Sequence, residues 1–127
     1  MATPDPIGTF HVDATGHLVR RGCPRSGKEY EQRCELRTLE EVAHTIDEMS
    51  GAAFTYLEVH AAMRPAPGAD WPLTQVAVAI GFLKERGIIV PVTGRRHIAN
   101  DDAVHLNTML EYHALREEPA PDAGEEV

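Results

Sequence analysis

The sequence predicts a small, mainly α-helical domain that carries one two-stranded β-hairpin. Apolar residues recur at helical spacing in residues 39–49 and again in residues 73–86, which is the pattern of helices with one buried face. Residues 88–92 and 96–99 lie on either side of Thr93-Gly94-Arg95, an arrangement typical of a strand, a turn and a second strand. With 127 residues, the chain is long enough to bury one hydrophobic core.

Residues 1–37 are predicted to lie outside this domain and to contain a short β-hairpin of their own. Residues 9–12 and 17–20 flank Asp13-Ala14-Thr15-Gly16, which is a four-residue loop ending in glycine. Residues 22–37 are polar and show little periodicity, so we expect a loop or a short irregular helix there.

Two helix starts are marked by capping boxes. Thr38-Leu39-Glu40-Glu41 and Thr55-Tyr56-Leu57-Glu58 each match this pattern, in which a threonine hydroxyl and a glutamate carboxylate cap one helix. The first helix should end at Ser50-Gly51, since glycine favours a left-handed stop. Between the two helices, Ala52-Ala53-Phe54 is long enough only for a strand stub, and residues 65–72 are expected to form a connecting loop.

Two further helices complete the predicted domain. Residues 73–86 should form the third helix, with Gly87 as its C-terminal cap. Asn100-Asp101-Asp102 supplies capping side chains for a final helix. The domain is therefore expected to span residues 38–117. Residues 118–127 are acidic and contain proline, so we expect a disordered tail.

Composition excludes several classes of protein. The chain has two cysteines, too few for a disulfide framework, and no apolar stretch near the roughly 20 residues of a membrane-spanning helix. Its first residues lack the basic start and apolar run of a secretory signal, so we expect a cytoplasmic protein without a membrane partner. The formal net charge of −8 disfavours diffuse binding to nucleic acid, whose phosphates attract clustered lysine and arginine.

The run TQVAVAIGFLKERGII, residues 74–89, carries a likeness to a known family. It resembles the third helix of winged helix-turn-helix proteins, which ends in a leucine, a charged turn and a glycine and leads into the wing. Here these are Leu83, Lys84-Glu85-Arg86 and Gly87, and the wing tip is Thr93-Gly94-Arg95-Arg96. The resemblance implies a winged helix-turn-helix fold, mainly α with a small β-hairpin wing, preceded by the short N-terminal hairpin and followed by a C-terminal helix.

The same resemblance implies a DNA-binding transcriptional regulator. In DNA-binding members the third helix enters the major groove and the wing grips the phosphate backbone. This assigns Gln75 and Lys84 to base contacts and Arg95 and Arg96 to the backbone, with duplex DNA as the partner. Glu85 opposes the interpretation, because a carboxylate on that helix would face phosphates.

Protein association is the alternative that the sequence leaves open. On a helical wheel Val78 and Phe82 fall on the exposed face of the third helix, and an exposed apolar patch more often marks a protein interface. Met109 and Tyr112 belong to a broad apolar face of the final helix, which is wide enough to pack on two surfaces. These four residues form the candidate interface, and the expected assembly is a homodimer.

No pattern in the sequence indicates an enzyme, so we expect no catalytic residue and no cofactor. The Gly-x-Ser-x-Gly and His-Glu-x-x-His motifs are absent. Residues 22–28 have the spacing of a phosphate-binding loop, but Glu29 replaces the serine or threonine that would bind magnesium.

Two metal sites are suggested by residue type alone. Glu41 and His44 have the spacing of a di-iron helix, but such a site needs a second copy, which the sequence lacks. A zinc ion could use thiolates and imidazoles from Cys23, Cys34, His11 and His17. The gap between the two cysteines is not that of a zinc knuckle, so no metal ion is predicted.

Overall fold

The computed structural model describes residues 8–22, 28–64 and 71–118. Within these ranges the chain forms four helices and two antiparallel sheets, one of three strands and one of two. The strands are β1 (Thr9–Val12), β2 (Leu18–Gly22), β3 (Tyr30–Cys34), β4 (Ile89–Pro91) and β5 (His97–Ala99), and the helices are α1 (Leu36–Glu48), α2 (Tyr56–Ala62), α3 (Leu73–Glu85) and α4 (Val104–Arg116). Among these helices, none has the length and apolar character needed to cross a lipid bilayer.

Some of the predicted segments lie outside the described residues. These are most of the phosphate-loop-like run 22–28, which includes Cys23, most of the loop 65–72, and the tail after residue 118. The predictions for these segments therefore stay predictions.

The three-stranded sheet begins with the predicted N-terminal hairpin. β1 and β2 pair antiparallel with Val12 opposite Leu18, so this prediction is confirmed. The turn between them is held by Asp13, whose carboxylate accepts the backbone N–H groups of Thr15 and His17 at 3.0 Å each. A short side chain that accepts hydrogen bonds from the residues just after it is the usual device of such turns.

β3 corrects the expectation of a loop or irregular helix in residues 22–37. It pairs with β2 so that Cys34 lies opposite Leu18, and both side chains are fully buried. The outward positions carry Glu31 and Arg33, which form an ion pair at 3.0 Å. The strand is hard to recognise in the sequence, because a glutamine takes the central one of its three less exposed positions and interrupts the alternation.

The Asp13 turn makes the stability of the sheet depend on acid pH. Partial burial by itself raises the pKa of Asp13. Hydrogen bonds from Thr15, His17 and Arg33 outweigh this effect and lower the pKa from 3.8 to about 2. The charged carboxylate therefore stabilises the fold above pH 4, and this contribution is lost as the pH falls towards 2. We expect Asp13→Asn to lower the free energy of unfolding by about 1–2 kcal/mol at neutral pH, after allowance for solvent screening.

The check is urea denaturation of the wild type and Asp13→Asn between neutral pH and about pH 2. The two unfolding free energies should converge as the pH falls. A difference that stays constant over that range would show that the charge of Asp13 does not stabilise the turn.

α1 begins at Leu36, before the capping box that was expected to start it. Thr38 is buried, and its hydroxyl donates to Oε1 of Gln75 at 2.8 Å. The prediction of a cap at Thr38 is therefore wrong, because this threonine is used in a contact with α3. The end of α1 is as predicted, with Ser50 and Gly51 in left-handed conformations at φ 53° and 86°.

α2 and the β4–β5 hairpin form where they were predicted. Thr55 accepts the N–H of Glu58 at 3.2 Å, while the Glu58 carboxylate accepts the N–H of Thr55 at 2.9 Å, so this capping box is confirmed. Phe54, in the predicted strand stub, exchanges two 2.9 Å backbone hydrogen bonds with His97 of β5. The turn of the hairpin contains Gly94 at φ 62°.

α3 is the most buried helix in the described part of the chain, and it packs against the three-stranded sheet and against α1 and α2. Val78 and Phe82 are both 0% exposed, and the Phe82 ring meets Phe10 of β1 edge to face at 5.6 Å. The prediction that Val78 and Phe82 face solvent is therefore wrong. The reason is that the sheet, of which the sequence indicated only two strands, covers this face.

α4 begins at Val104, and a distant side chain caps it. The Asp47 carboxylate of α1 accepts the N–H groups of Val104 and His105 at 2.8 and 2.9 Å. A carboxylate at a helix N-terminus is favourable for both its hydrogen bonds and its charge. The prediction that Asn100-Asp101-Asp102 begins the helix is wrong, since Asp101 instead accepts the N–H of Ala103 at 2.9 Å, before the helix.

Candidate functional site

The structure separates the four residues predicted to bind DNA. Lys84 and Arg95 are exposed and line one groove. Gln75 is half-buried, and its Oε1 accepts hydrogen bonds from the Glu35 N–H at 2.9 Å and the Thr38 hydroxyl at 2.8 Å. The prediction that Gln75 is presented to solvent on α3 is wrong, because its amide joins α3 to the start of α1.

Arg96 is exposed, but it is held by neighbouring groups. Its guanidinium donates to both carboxylate oxygens of Glu58, at 2.9 and 3.2 Å, and to the carbonyl of Ala53 at 3.3 Å. The hydrogen bond from Arg96 is the main reason that the pKa of Glu58 lies below its ordinary value. Arg96 therefore ties the hairpin to the start of α2.

The groove that contains Lys84 and Arg95 lies where α2, α3 and the β4–β5 hairpin meet, and we call it the hairpin groove. It has a volume of about 430 Å³. Ile80 and Lys84 stand one turn apart on α3 and so share a helix face, while Pro91 and His97 are direct cross-strand partners and so share a sheet face. The groove is lined by Tyr56, Ile80, Lys84, Pro91, Gly94, Arg95 and His97.

The lining of the hairpin groove is cationic. No aspartate or glutamate belongs to it, and within residues 8–22, 28–64 and 71–118 neither Lys84 nor Arg95 forms an ion pair. Glu58, close by in sequence to the groove residue Tyr56, is already neutralised by Arg96 at 2.9 Å. Two positive side chains therefore face one groove in a chain whose net charge is −8.

His97 adds a group that can become positive in the same groove. Its backbone is fixed by the two hydrogen bonds to Phe54, so its side chain has a defined place on the hairpin. Partial burial lowers the pKa of His97, and the positive charge of Lys84 lowers it further. Tyr56 is the groove residue that sequence reasoning missed as part of a site.

Two other cavities use some of their charged groups within the fold. One, of about 400 Å³, is lined by Ile46, Asp47, Ser50, Gly51, Ala99, Asp101 and Asp102. In it, Asp47 caps α4 and Asp101 accepts hydrogen bonds from Ala103 and Asn107. The second, also of about 400 Å³, contains Arg37 and Arg116 together with Glu35, and here Arg37 and Glu35 form an ion pair at 3.1 Å.

The predicted protein interface is largely internal. Val78 and Phe82 are buried under the sheet, and Tyr112 is 1% exposed, with its hydroxyl donating to the Gly16 carbonyl at 2.6 Å. The expectation that Tyr112 offers an outer surface is therefore wrong. Met109 is half-buried against the core.

The cysteine that the structure describes is not a reactive thiol. Cys34 is fully buried and donates to the Glu35 carbonyl at 3.4 Å, and burial raises its pKa to about 12. The thiolate that zinc needs is therefore disfavoured at this position. Among the described residues, no group of three or more histidine, cysteine, aspartate or glutamate side chains could hold a metal ion.

Comparisons of the chain with protein-family models, with curated proteins and with solved structures found no match.

Proposed function

We propose that this chain is a non-enzymatic winged-helix protein that binds the phosphate backbone of duplex DNA through the hairpin groove. The observation that carries the proposal is the pair of cations, Lys84 and Arg95, which face the groove without a carboxylate partner among the described residues. Free lysine and arginine side chains supply most of the affinity for DNA, since they displace counterions from phosphates. The order of α1, α2, α3 and the β4–β5 hairpin supports the winged-helix part of the proposal.

The contact is expected to be independent of DNA sequence. Direct reading of bases needs exposed donors and acceptors on an element that enters the major groove. Gln75 is hydrogen-bonded inside the protein, and Val78 and Phe82 lie under the sheet. Phosphate contacts position a protein on DNA but carry no sequence information directly, so regulation would depend on a further specificity element.

A salt titration tests this proposal. We expect binding of a random-sequence duplex to weaken as salt rises, and the slope of log affinity against log salt to fall by about 2 in the double variant Lys84→Gln/Arg95→Gln. The matched control is Arg37→Gln/Arg116→Gln, which removes the same charge from a different cavity. Equal slopes for the two double variants would contradict the assignment to the hairpin groove, and no binding by the wild type at low salt would refute DNA binding.

His97 should make the binding depend on pH. Its pKa is lowered in the free protein, and a phosphate in the groove would raise it, so binding is linked to proton uptake. We expect duplex affinity to increase as the pH falls below about 6.5 and this increase to be smaller in His97→Gln. Titrations at several pH values, with His113→Gln as control, measure the effect. A pH dependence that is unchanged in His97→Gln would exclude His97 from the contact.

Self-association is a second candidate function, and two leucines of α4 favour it. Leu106 and Leu110 are 59% and 60% exposed and stand one turn apart, so they form an apolar strip that a second copy of this chain would cover. If this strip is the dimer interface, Leu106→Gln/Leu110→Gln should convert a dimer to a monomer in a mass measurement. Leu57→Gln, at another exposed leucine, should leave the protein dimeric. A monomeric wild type would refute this candidate.

A further inference from the structure

The hairpin groove has an apolar side as well as a cationic one. Tyr56 is the first residue of α2 and is 42% exposed. The capping box at Thr55 and Glu58 fixes the start of this helix, so the backbone of Tyr56 has a defined position. Ile80 contributes a side chain that is 7% exposed, and Pro91 adds a rigid apolar ring. An apolar body could therefore lie against these three residues.

The size and charge of the groove fit a small organic anion better than a bare phosphate. A volume of about 430 Å³ falls within the range of roughly 300–1,000 Å³ that small-molecule sites occupy. A phosphate of the DNA backbone would use Lys84 and Arg95 but would leave the tyrosine and the proline uncovered. A ligand that covers both parts needs an apolar group and an anionic group, and an aromatic ring suits the apolar part because it can pack on Tyr56.

We infer that the hairpin groove binds small aromatic anions, with the ring against Tyr56, Ile80 and Pro91 and the carboxylate or phosphate on Lys84 and Arg95. This inference goes beyond the proposed function, because it does not require that the protein binds DNA. Aromatic rings pack on tyrosine by offset or edge contacts, and arginine and lysine are the usual partners of carboxylate and phosphate. If the protein also binds DNA there, the two ligands compete for the same cations.

Phenyl phosphate and inorganic phosphate are the probes, titrated by calorimetry into the full-length protein. Phenyl phosphate should bind about tenfold more tightly than inorganic phosphate, since its ring gains stacking contacts with Tyr56. Tyr56→Ala should remove most of this difference without weakening inorganic phosphate. Lys84→Gln/Arg95→Gln should weaken both probes, and Leu57→Ala, at the next exposed side chain, should change neither.

Equal affinities for the two probes, or an unchanged preference in Tyr56→Ala, would overturn the inference. The relative affinities of benzoate and phenyl phosphate show whether the groove prefers a carboxylate or a phosphate, while the binding of each should depend on Tyr56. Duplex binding, measured separately by anisotropy, should be unchanged in Tyr56→Ala. A wild-type protein that binds phenyl phosphate but not duplex DNA would refute the proposed function and leave this inference standing.

Discussion

Phe82→Asp is expected to unfold the protein. Phe82 is 0% exposed and contacts Phe10 of the sheet at a ring distance of 5.6 Å. Removal of a buried phenylalanine side chain costs about 3–5 kcal/mol, and an unpartnered carboxylate in its place adds the cost of burying a charge. Domains of this size have a total stability of about 5–15 kcal/mol, so the two losses together are comparable to the whole free energy of unfolding.

Urea denaturation followed by circular dichroism measures the effect of Phe82→Asp, and Phe82→Ala provides a milder variant that remains foldable. Leu57→Asp is the matched control, because Leu57 is 54% exposed and its replacement should change the unfolding free energy by less than about 0.5 kcal/mol. A folded Phe82→Asp with an unchanged midpoint would mean that the outer face of α3 is open. Base reading by α3 would then again be a possible function.

Tyr112→Ala should have the second largest effect, because it removes the link between the C-terminal helix and the N-terminal sheet. Tyr112 is 1% exposed, and its hydroxyl donates to the Gly16 carbonyl in the turn between β1 and β2 at 2.6 Å. Burial raises the pKa of this hydroxyl, so it stays protonated as a donor at neutral pH. We expect a loss of about 3–5 kcal/mol for Tyr112→Ala.

Tyr112→Phe separates the hydrogen bond from the packing of the ring. It should cost about 1–2 kcal/mol, because the Gly16 carbonyl loses its donor while the aromatic ring is retained. Thermal unfolding of the three proteins, with Leu57→Ala at an exposed position of α2 as control, gives the comparison. A Tyr112→Ala variant as stable as the control would show that α4 does not depend on the N-terminal sheet.

The sequence predicts those parts of the fold that local interactions determine. The capping box at Thr55, the glycine that ends α1 and the β4–β5 turn each involve residues within a few positions of one another, and each prediction is confirmed. The cap of α4 was mispredicted because it comes from Asp47, 57 residues before the N–H that it accepts. No local pattern encodes a contact of that kind.

The largest error concerns the environment of α3. Helical periodicity shows which residues share a face, but it does not show what covers that face. β3 carries charges at its outward positions and one glutamine, so the third strand of the sheet could not be recognised. Once that strand is in place, Val78 and Phe82 lie in the core instead of at an interface.

The candidate site was predicted only in part, for the same reason. Lys84 and Arg95 were selected because the resemblance places them on the third helix and at the wing tip, and both are exposed. Gln75 and Arg96 were assigned to DNA, but they instead bond to α1 and to Glu58, contacts that depend on tertiary packing. Tyr56 lies in the same groove as Lys84 and Arg95 only because α2 packs beside the hairpin.

Mapping the bound surface by NMR is the most direct test of whether the hairpin groove binds DNA. Backbone amide shifts of the isotope-labelled protein would be followed while a short random-sequence duplex is added at low salt. We expect the largest shifts at Lys84 and in residues 93–97, which hold the cations of the hairpin groove. Shifts confined to α4 or to the three-stranded sheet, or none at all, would contradict the claim that the groove binds DNA.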